Sequence, residues 1–522
     1  MRKLLLMFFI LHVLGTFLAV DSTIGAPIPM PPSVLAVDGV INPTEPPPTP
    51  PLPTNPPSTS GGNFSHIDIW DMGGNYLTAS SGSNLLSWYA SHVDATQETP
   101  FRAPGSSSFL KQYNPNMIVT VYQLDHTQFI NTNCEQPWSA CFPSPNAYGI
   151  TAGAAPDESY YLHFSENTTI QGVSIPGCPS PNPVTSSCRV RVYMWADWRY
   201  VFNPKSLGWR QWAGDRIIGF LGTRFDGFEF DEHLPGFRRG LYNPSITQGG
   251  GIREYGGLHM YDPETNGANQ LDREYNTDLS NWLTYLRGRC EAAGKNYTYI
   301  NPASDTVWPP GLAAQQAGAI KGIYNENSHQ PDVWSDSNHY QDQLNVITNL
   351  ATIQGSTVIL GSKNYFVLSY EPSGYTSGNY DSPQSRYVMW RLANYYIHRA
   401  MPGSPGKVYF DAEFSTQHGS AVPNQWWRDA IAYNIGSPTG SASVYYTGSA
   451  GCSGTYKIWT RDYTNGKVFL RIGDPGACGG NWDAAYTLTV SPAMRRLNAD
   501  GTFSAYTTTF TLRNAEALIL SK

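Results

Sequence analysis

Phe225-Asp226-Gly227-Phe228-Glu229-Phe230-Asp231-Glu232-His233 is the stretch on which the fold turns. In an extended strand alternate side chains share a face, so Phe228 and Phe230 lie on one side and Gly227, Glu229 and Asp231 on the other. Two phenylalanines directed at a layer of helices, with two carboxylates directed the opposite way, fit a strand of a closed β/α barrel. There the second face is the barrel interior, and the C-terminal strand ends carry the reaction site. Buried carboxylates are costly unless paired, hydrogen-bonded or used. Arg224, Arg191 or tyrosine hydroxyls could close them into a purely structural network.

Working outward, short apolar runs of strand texture recur at 66–70, 92–95, 117–122, 297–301, 322–326, 358–360 and 407–410, which makes eight with 225–231. Amphipathic helical stretches alternate with many of them. One spans 207–221, with Trp209, Trp212, Ile217 and Phe220; another spans 279–293, with Leu279, Trp282, Leu283, Leu286 and Cys290; a third spans 385–400, with Met389, Leu392 and Tyr396. Residues 63–436 are therefore expected to form an α/β domain, a TIM (β/α)8 barrel with inserted loops. After Gly436 the helical period disappears. Strand signals at 443–446, 455–463, 467–472, 486–490, 507–512 and 517–520, with Asn465-Gly466 as a hairpin turn, predict a C-terminal antiparallel β-sandwich over 437–522.

A second strand candidate, Lys321-Gly322-Ile323-Tyr324-Asn325-Glu326-Asn327-Ser328-His329, also delivers a carboxylate at its C-terminal end. Hydrolysis of a glycosidic bond needs such a pair: one group protonates the leaving oxygen, and the other attacks the anomeric carbon or activates water. Asp231 and Glu326 are the candidate pair, and Glu229 is a third catalytic candidate. A separation of about 5–5.5 Å would favour retention and about 6.5–9.5 Å inversion. Candidate substrate contacts are Asn301, Asp226, Tyr324 and Asn325 beside the carboxylate strands, together with Trp70, Asp71 and Trp198, whose rings and polar groups suit sugar faces and hydroxyls.

Composition narrows the chemistry. The chain has 522 residues, 40% hydrophobic, 13% aromatic and only 14% charged, with a net charge of −7. Charged residues average about 25% in globular proteins. With no basic run beyond Arg2-Lys3, a nucleic-acid footprint is missing. Gly-x-Ser-x-Gly, the P-loop, the dinucleotide fingerprint and His-Glu-x-x-His are all missing, and no zinc spacing of Cys and His occurs. No cofactor or metal is expected, although Asp231, Glu232 and His233 contain ligand types for a divalent ion, the basis of a distant third reading as a metal-dependent deacetylase.

The N-terminus, Arg2-Lys3 followed by an apolar run to about Val20, reads as a secretory signal over 1–26, with cleavage near Ala19 or Ala26; an uncleaved membrane anchor is the alternative. Residues 27–57 hold 13 of the 40 prolines, so 27–62 is expected to be an extended linker, or a leader without spacer function. An exported chain invites disulfides, and the simplest pairing is Cys134 with Cys141, Cys178 with Cys188, and Cys452 with Cys478, leaving Cys290 as a buried thiol. Asn63, Asn167 and Asn296 lie in glycosylation sequons.

Several segments together resemble a known group. Asn203-Pro204, Trp209-Arg210, Phe225 to Glu232, Tyr299-Ile300-Asn301 and Gly322 to Asn327 are similar to secreted bacterial glycoside hydrolases with a TIM barrel. These are relatives of the endo-α-1,4-polygalactosaminidase and α-amylase-like barrels. Ile435 to Pro438, Trp459 to Val468 and Ala515 to Leu520 resemble that group's C-terminal β-domain, so the likeness spans about 65–522. The resemblance implies Asp231 as nucleophile or base and Glu326 as acid. Glu229, standing where an apolar or small residue is commoner, is a departure that sets it up as a rival to Asp231.

The expectation is an exported glycoside hydrolase acting on a polysaccharide or other glycan, touching a membrane only through an uncleaved N-terminal segment. Its competitor is an inactive carbohydrate-binding or structural surface protein, capable of self-assembly, on the same barrel.

Overall fold

The computed structural model describes residues 67–71, 77, 82–98, 106–124, 127–129, 157–170, 172–194, 197–231, 250–259, 269–301, 318–325, 337–352, 355–361, 383–412, 429–449, 455–473, 485–513 and 516–522. The N-terminal apolar segment, the proline-rich stretch, Asn63, Cys134, Cys141, Cys452 and Cys478 lie outside the described residues.

Eight parallel strands close into a barrel in which each pairs with its successor in the chain and the last returns to the first. They are β1 (Ile69–Asp71), β2 (Ala95–Glu98), β3 (Ile118–Leu124), β4 (Gly227–Asp231), β5 (Tyr297–Ile300), β6 (Gly322–Asn325), β7 (Thr357–Leu360) and β8 (Val408–Asp411). All eight strand signals in the sequence correspond to barrel strands. The second is displaced from 92–95 to Ala95–Glu98 because His92 still belongs to α1 (Ser83–His92), whose last turn Val93 closes by donating its N–H to the Tyr89 carbonyl.

Alternation sorts the strand residues into two layers. Trp70, Ala95, Ile118, Tyr299, Tyr324, Ile359 and Tyr409 pack together inside the barrel. Phe228, Phe230, Ile300, Ile323 and Leu360 join the larger core against the helices. The interior is filled by pairing large rings with glycine: a methyl at Gly322 would sit 2.2 Å from the Tyr299 ring, and one at Gly361 would sit 2.5 Å from Tyr324.

The outer layer contains α1, α2 (Ser106–Tyr113), α3 (Leu207–Leu221), α4 (Gln270–Ala292), α5 (Ser337–Thr352) and α6 (Pro383–His398). Ser206 caps α3 by accepting from the Trp209 N–H at 3.2 Å. The next helix starts nine residues before the amphipathic run at 279–293, capped by Asn269, which accepts from the Asp272 N–H at 2.7 Å. Its added turns carry Leu271 and Tyr275, which serve a second core rather than the barrel. Cys290 lies buried on α4 as expected, and burial pushes its thiol up to about 12.

That second core belongs to the insertion between β3 and α3. Leu162, Phe164, Ile170, Val190 and Val201 pack with Ile252 and Tyr255 from the β4–α4 connection and with Leu271, Tyr275 and Leu279 of α4. Cys178 and Cys188 are bonded across a separation of 10 residues. Replacing both by serine is expected to cost about 2–3 kcal/mol of local stability on the chain-entropy account, read as earlier cleavage within 157–201 under limited proteolysis.

A charged clasp ties the two inserted segments. Arg189 donates from Nε and Nη2 to Glu158 at 2.7 and 2.6 Å, and the buried His163 ring lies between Glu158 at 3.0 Å and Glu254 at 2.8 Å. The bonds from Arg189 hold the Glu158 carboxyl below its usual range, against the opposing effect of burial. A carboxylate depressed in the folded state contributes stability above its unfolded value, near about 4.3, and loses it as pH falls through the folded value. Cleavage of the insertion by an acid protease should therefore rise as pH falls below about 4, and Glu158→Gln should flatten that rise.

Beyond the barrel, β9 (Ser443–Ser449), β10 (Thr455–Tyr463), β11 (Gly466–Gly473), β12 (Tyr486–Arg496), β13 (Thr507–Leu512) and β14 (Ala517–Ser521) form one antiparallel sheet in the order β9-β10-β11-β14-β12-β13. Trp459, Val468, Leu470 and Ile519 pack onto the barrel core. Ile458, Phe469, Leu518 and Leu520 face the other way, against Leu488 and Phe510 of β12 and β13. The two layers expected of a sandwich thus come from one sheet curled on itself, and β14 is buried along its whole length. Arg461 secures the junction by donating Nη1 to the Ile397 carbonyl at 2.9 Å and to those of Tyr396 and Arg399, at the end of α6. The β10–β11 turn is Thr464-Asn465, with Gly466 already paired to Tyr463.

Candidate active site

The C-terminal ends of β4, β5 and β6 stand side by side. Tyr299 on β5 pairs with Glu229 on β4 and with Gly322 on β6, which puts Asp231, Asn301 and Tyr324 one pleat repeat higher at a common level. Asn301 is buried and donates its backbone N–H to the Phe230 carbonyl at 2.7 Å. Asp231 closes β4 beside Leu124 of β3; its side chain, like the whole of Glu326, lies outside the described residues. Glu326 immediately follows β6, two residues after the inward-facing Tyr324.

Glu229 faces the interior, as its parity with Asp231 predicts, and is 1% exposed. It sits two residues before Asp231, about 6.6 Å deeper along the strand, beside Tyr299, whose hydroxyl is pushed up by burial and by the charges of Tyr297 and Glu229. That depth separates it from the strand end at Asp231.

Trp70 is fully buried and packs on Tyr324 with ring centroids 5.1 Å apart. It is part of the packed barrel interior, where the sequence had offered it as a stacking surface. Tyr324 donates its hydroxyl to Asp411 Oδ2 at 3.0 Å, and Asp411 ends β8, fully buried, with its carbonyl accepting from Arg391 of α6.

Other candidates are placed elsewhere. Asp71 alternates with Trp70 and accepts the Tyr89 hydroxyl at 2.7 Å, in a knot with Thr96 between β1 and α1. Burial first, and then the Asp71 charge, pushes the Tyr89 hydroxyl well above the ordinary tyrosine range. Asp226 lies at the opposite end of β4, where it accepts from Lys111 Nζ at 2.7 Å and from the Val119 N–H at 2.8 Å. Asn325 is buried on the face of Ile323 and Leu360, directed at the helices, with no hydrogen-bond partner for its amide among the described residues. Trp198 belongs to an insertion sheet, opposite Tyr193, and its side chain lies outside the described residues. None of these four joins the level of Asp231 and Asn301.

Two inward polar residues were missed. Asp411 directly follows the strand signal at 407–410, and an acid at that offset is the same cue that singled out Asp231. Gln97 of β2 is fully buried beside Thr120 of β3, with an amide lacking a hydrogen-bond partner among the described residues. Placing the second strand three residues early hid it.

No family model matches the chain, and no curated protein matches it. Among solved structures it is similar to a noncanonic maltogenic alpha-amylase, AmyB, from Thermotoga neapolitana, at 8% identity, with 88% of this chain and 99% of that one covered and a TM-score of 0.42. It is also similar to trehalose-6-phosphate hydrolase from Bacillus licheniformis, at 8% identity over 88% and 100% of the chains with a TM-score of 0.45. An alpha-amylase from H. orenii is similar at 9% identity over 88% and 99%, with a TM-score of 0.39.

Proposed function

We propose that the chain is an exported glycoside hydrolase that cleaves O-glycosidic bonds of a polysaccharide, with Glu326 as general acid and Asp231 as nucleophile or general base. The observation that carries this reading is the grouping of three strand ends: β4 terminates at Asp231, β5 leads into Asn301, and β6 ends at Asn325, the residue before Glu326 in the sequence, all at the C-terminal end of the barrel where β/α enzymes keep their sites. Glu326 gives its proton to the glycosidic oxygen as the bond to the anomeric carbon breaks. Asp231 either bonds to that carbon or takes a proton from the attacking water, and in the first case Glu326 later serves as base. Asn301, between the two strand ends, is the candidate to hold a sugar hydroxyl, and the buried Trp70–Tyr324–Asp411 contacts brace the barrel interior beside it. Export rests on the charged and apolar N-terminal segment.

The test is release of reducing sugar from a panel of polysaccharides, including α-glucans and galactosamine-containing polymers, by wild type, Asp231→Asn and Glu326→Gln. Loss in both variants with folding retained supports the pair. Activity untouched by either removes the assignment, and no release from any polymer by wild type removes the hydrolase reading.

A further inference from the structure

Val444, Tyr445 and Tyr446 are three consecutive large side chains left 40%, 41% and 38% exposed on β9, the edge strand of the C-terminal sheet. The β9–β10 register slips between Val444 and Tyr446, which leaves Tyr445 as an extra, bulged residue. A bulge re-aims the side chains around it. Tyr445 meets Phe469 edge-on at 5.2 Å, and Tyr446 lies against Tyr486 at 4.4 Å and Tyr456 at 5.9 Å. Phe469 and Tyr456 both belong to the core of the curled face, with Tyr486 packed against it, so the two consecutive tyrosines stand together on the open rim of that face.

The rings are held in place from below. A methyl at Gly448 would lie 2.5 Å from the Tyr446 ring and 2.6 Å from that of Tyr456, so glycine is what lets both rings lie over the strand. The buried Arg471 guanidinium stacks on Tyr456 at 3.8 Å while Nη1 donates to the Leu512 carbonyl at 3.1 Å. Exposed rings already fixed in this way lose little conformational entropy when something settles on them.

We propose that this rim is a second glycan-binding surface, separate from the barrel mouth, on which Tyr445 and Tyr446 stack against sugar rings of a polysaccharide. A sugar offers an apolar C–H face with hydroxyls around its edge, which matches phenol rings that end in hydroxyls. A strand from a second copy fits less well, because the bulge interrupts the regular row of N–H and C=O groups that strand addition needs. The choice of a polysaccharide as occupant rests on the glycan reading of the barrel.

Native gels cast with soluble starch, xylan, mixed-linkage β-glucan or chitosan provide the test, run with wild type, Asp231→Asn, the double variant Tyr445→Ala/Tyr446→Ala, and Tyr446→Trp. At least one polymer is expected to retard wild type and Asp231→Asn equally. The double variant should lose about tenfold in apparent affinity, and Tyr446→Trp should keep it. Equal retardation of the double variant, or no retardation of wild type by any polymer, overturns the proposal. So does concentration-dependent self-association that the double variant abolishes, since it would make a second copy the occupant. Sugar release without tyrosine-dependent retardation removes the rim and leaves the hydrolase reading; tyrosine-dependent retardation without release does the reverse.

Discussion

Asp231→Asn is expected to lower turnover of the responsive polysaccharide by about a thousandfold or more, with the thermal transition unmoved. Asp231 is the last residue of β4, and the change from carboxylate to amide removes a charge while conserving side-chain volume. Glu326→Gln should be comparably damaging on the polymer, where the departing sugar oxygen needs a proton. On an aryl glycoside whose phenol leaves without help, the same variant should lose far less in the bond-breaking step, because the acid is then dispensable. That contrast separates the two roles, and equal losses on both substrates would overturn the assignment of Glu326 as acid. Glu229→Gln tests the departure from the resembled pattern. A loss smaller than that of Asp231→Asn, with a shift in stability, fits a buried carboxylate below the mouth, whereas a loss as large with no stability change would move the nucleophile to Glu229.

Gly227→Ala should be among the most destabilising single substitutions in the barrel, at about 3 kcal/mol or more. An added methyl would stand 1.5 Å from the Tyr297 carbonyl oxygen, a backbone atom of the neighbouring strand that cannot swing aside. Accommodation requires β4 and β5 to part, at the strand pair that carries Asp231 and Asn301, so activity should fall together with stability. Gly219→Ala is the control. It lies in α3 with nothing within 4 Å of the new methyl, and there alanine should stabilise by roughly 0.5–1 kcal/mol. Urea midpoints of the two variants should move in opposite directions, and a neutral Gly227→Ala would mean that the β4–β5 spacing is not the constraint described.

Sequence reading recovered much of this architecture for a local reason. Phe228 and Phe230 against Glu229 is a period-two pattern within a single strand, and the apolar face of 207–221 is a 3.6 pattern within a single helix. Such periods depend on nothing beyond the segment itself, which is why eight barrel strands, α3 and six C-terminal strands could be read in order. The Cys178–Cys188 bond, spanning ten residues, was also local enough to be read directly. The displaced β2 shows the weakness of the method: with only four residues and a helix running into it, the period had too little length to set the phase.

The tertiary structure decided which polar groups share a place. Asp71 and Trp70 are neighbours in sequence, as are Asn325 and Tyr324, yet the barrel turns one member of each pair inward and the other toward the helices. Asp226 precedes β4 and Asp231 ends it, so the two lie at opposite ends of one strand, with Lys111 holding the first. Asp411 reaches Tyr324 across 87 residues, and the insertion shares its core with a helix that begins some seventy residues beyond it. By itself the sequence determined the elements, their faces and the closing carboxylate of β4. The level at which each side chain meets the others depends on the register between strands from distant parts of the chain, and that register is set only when the barrel closes.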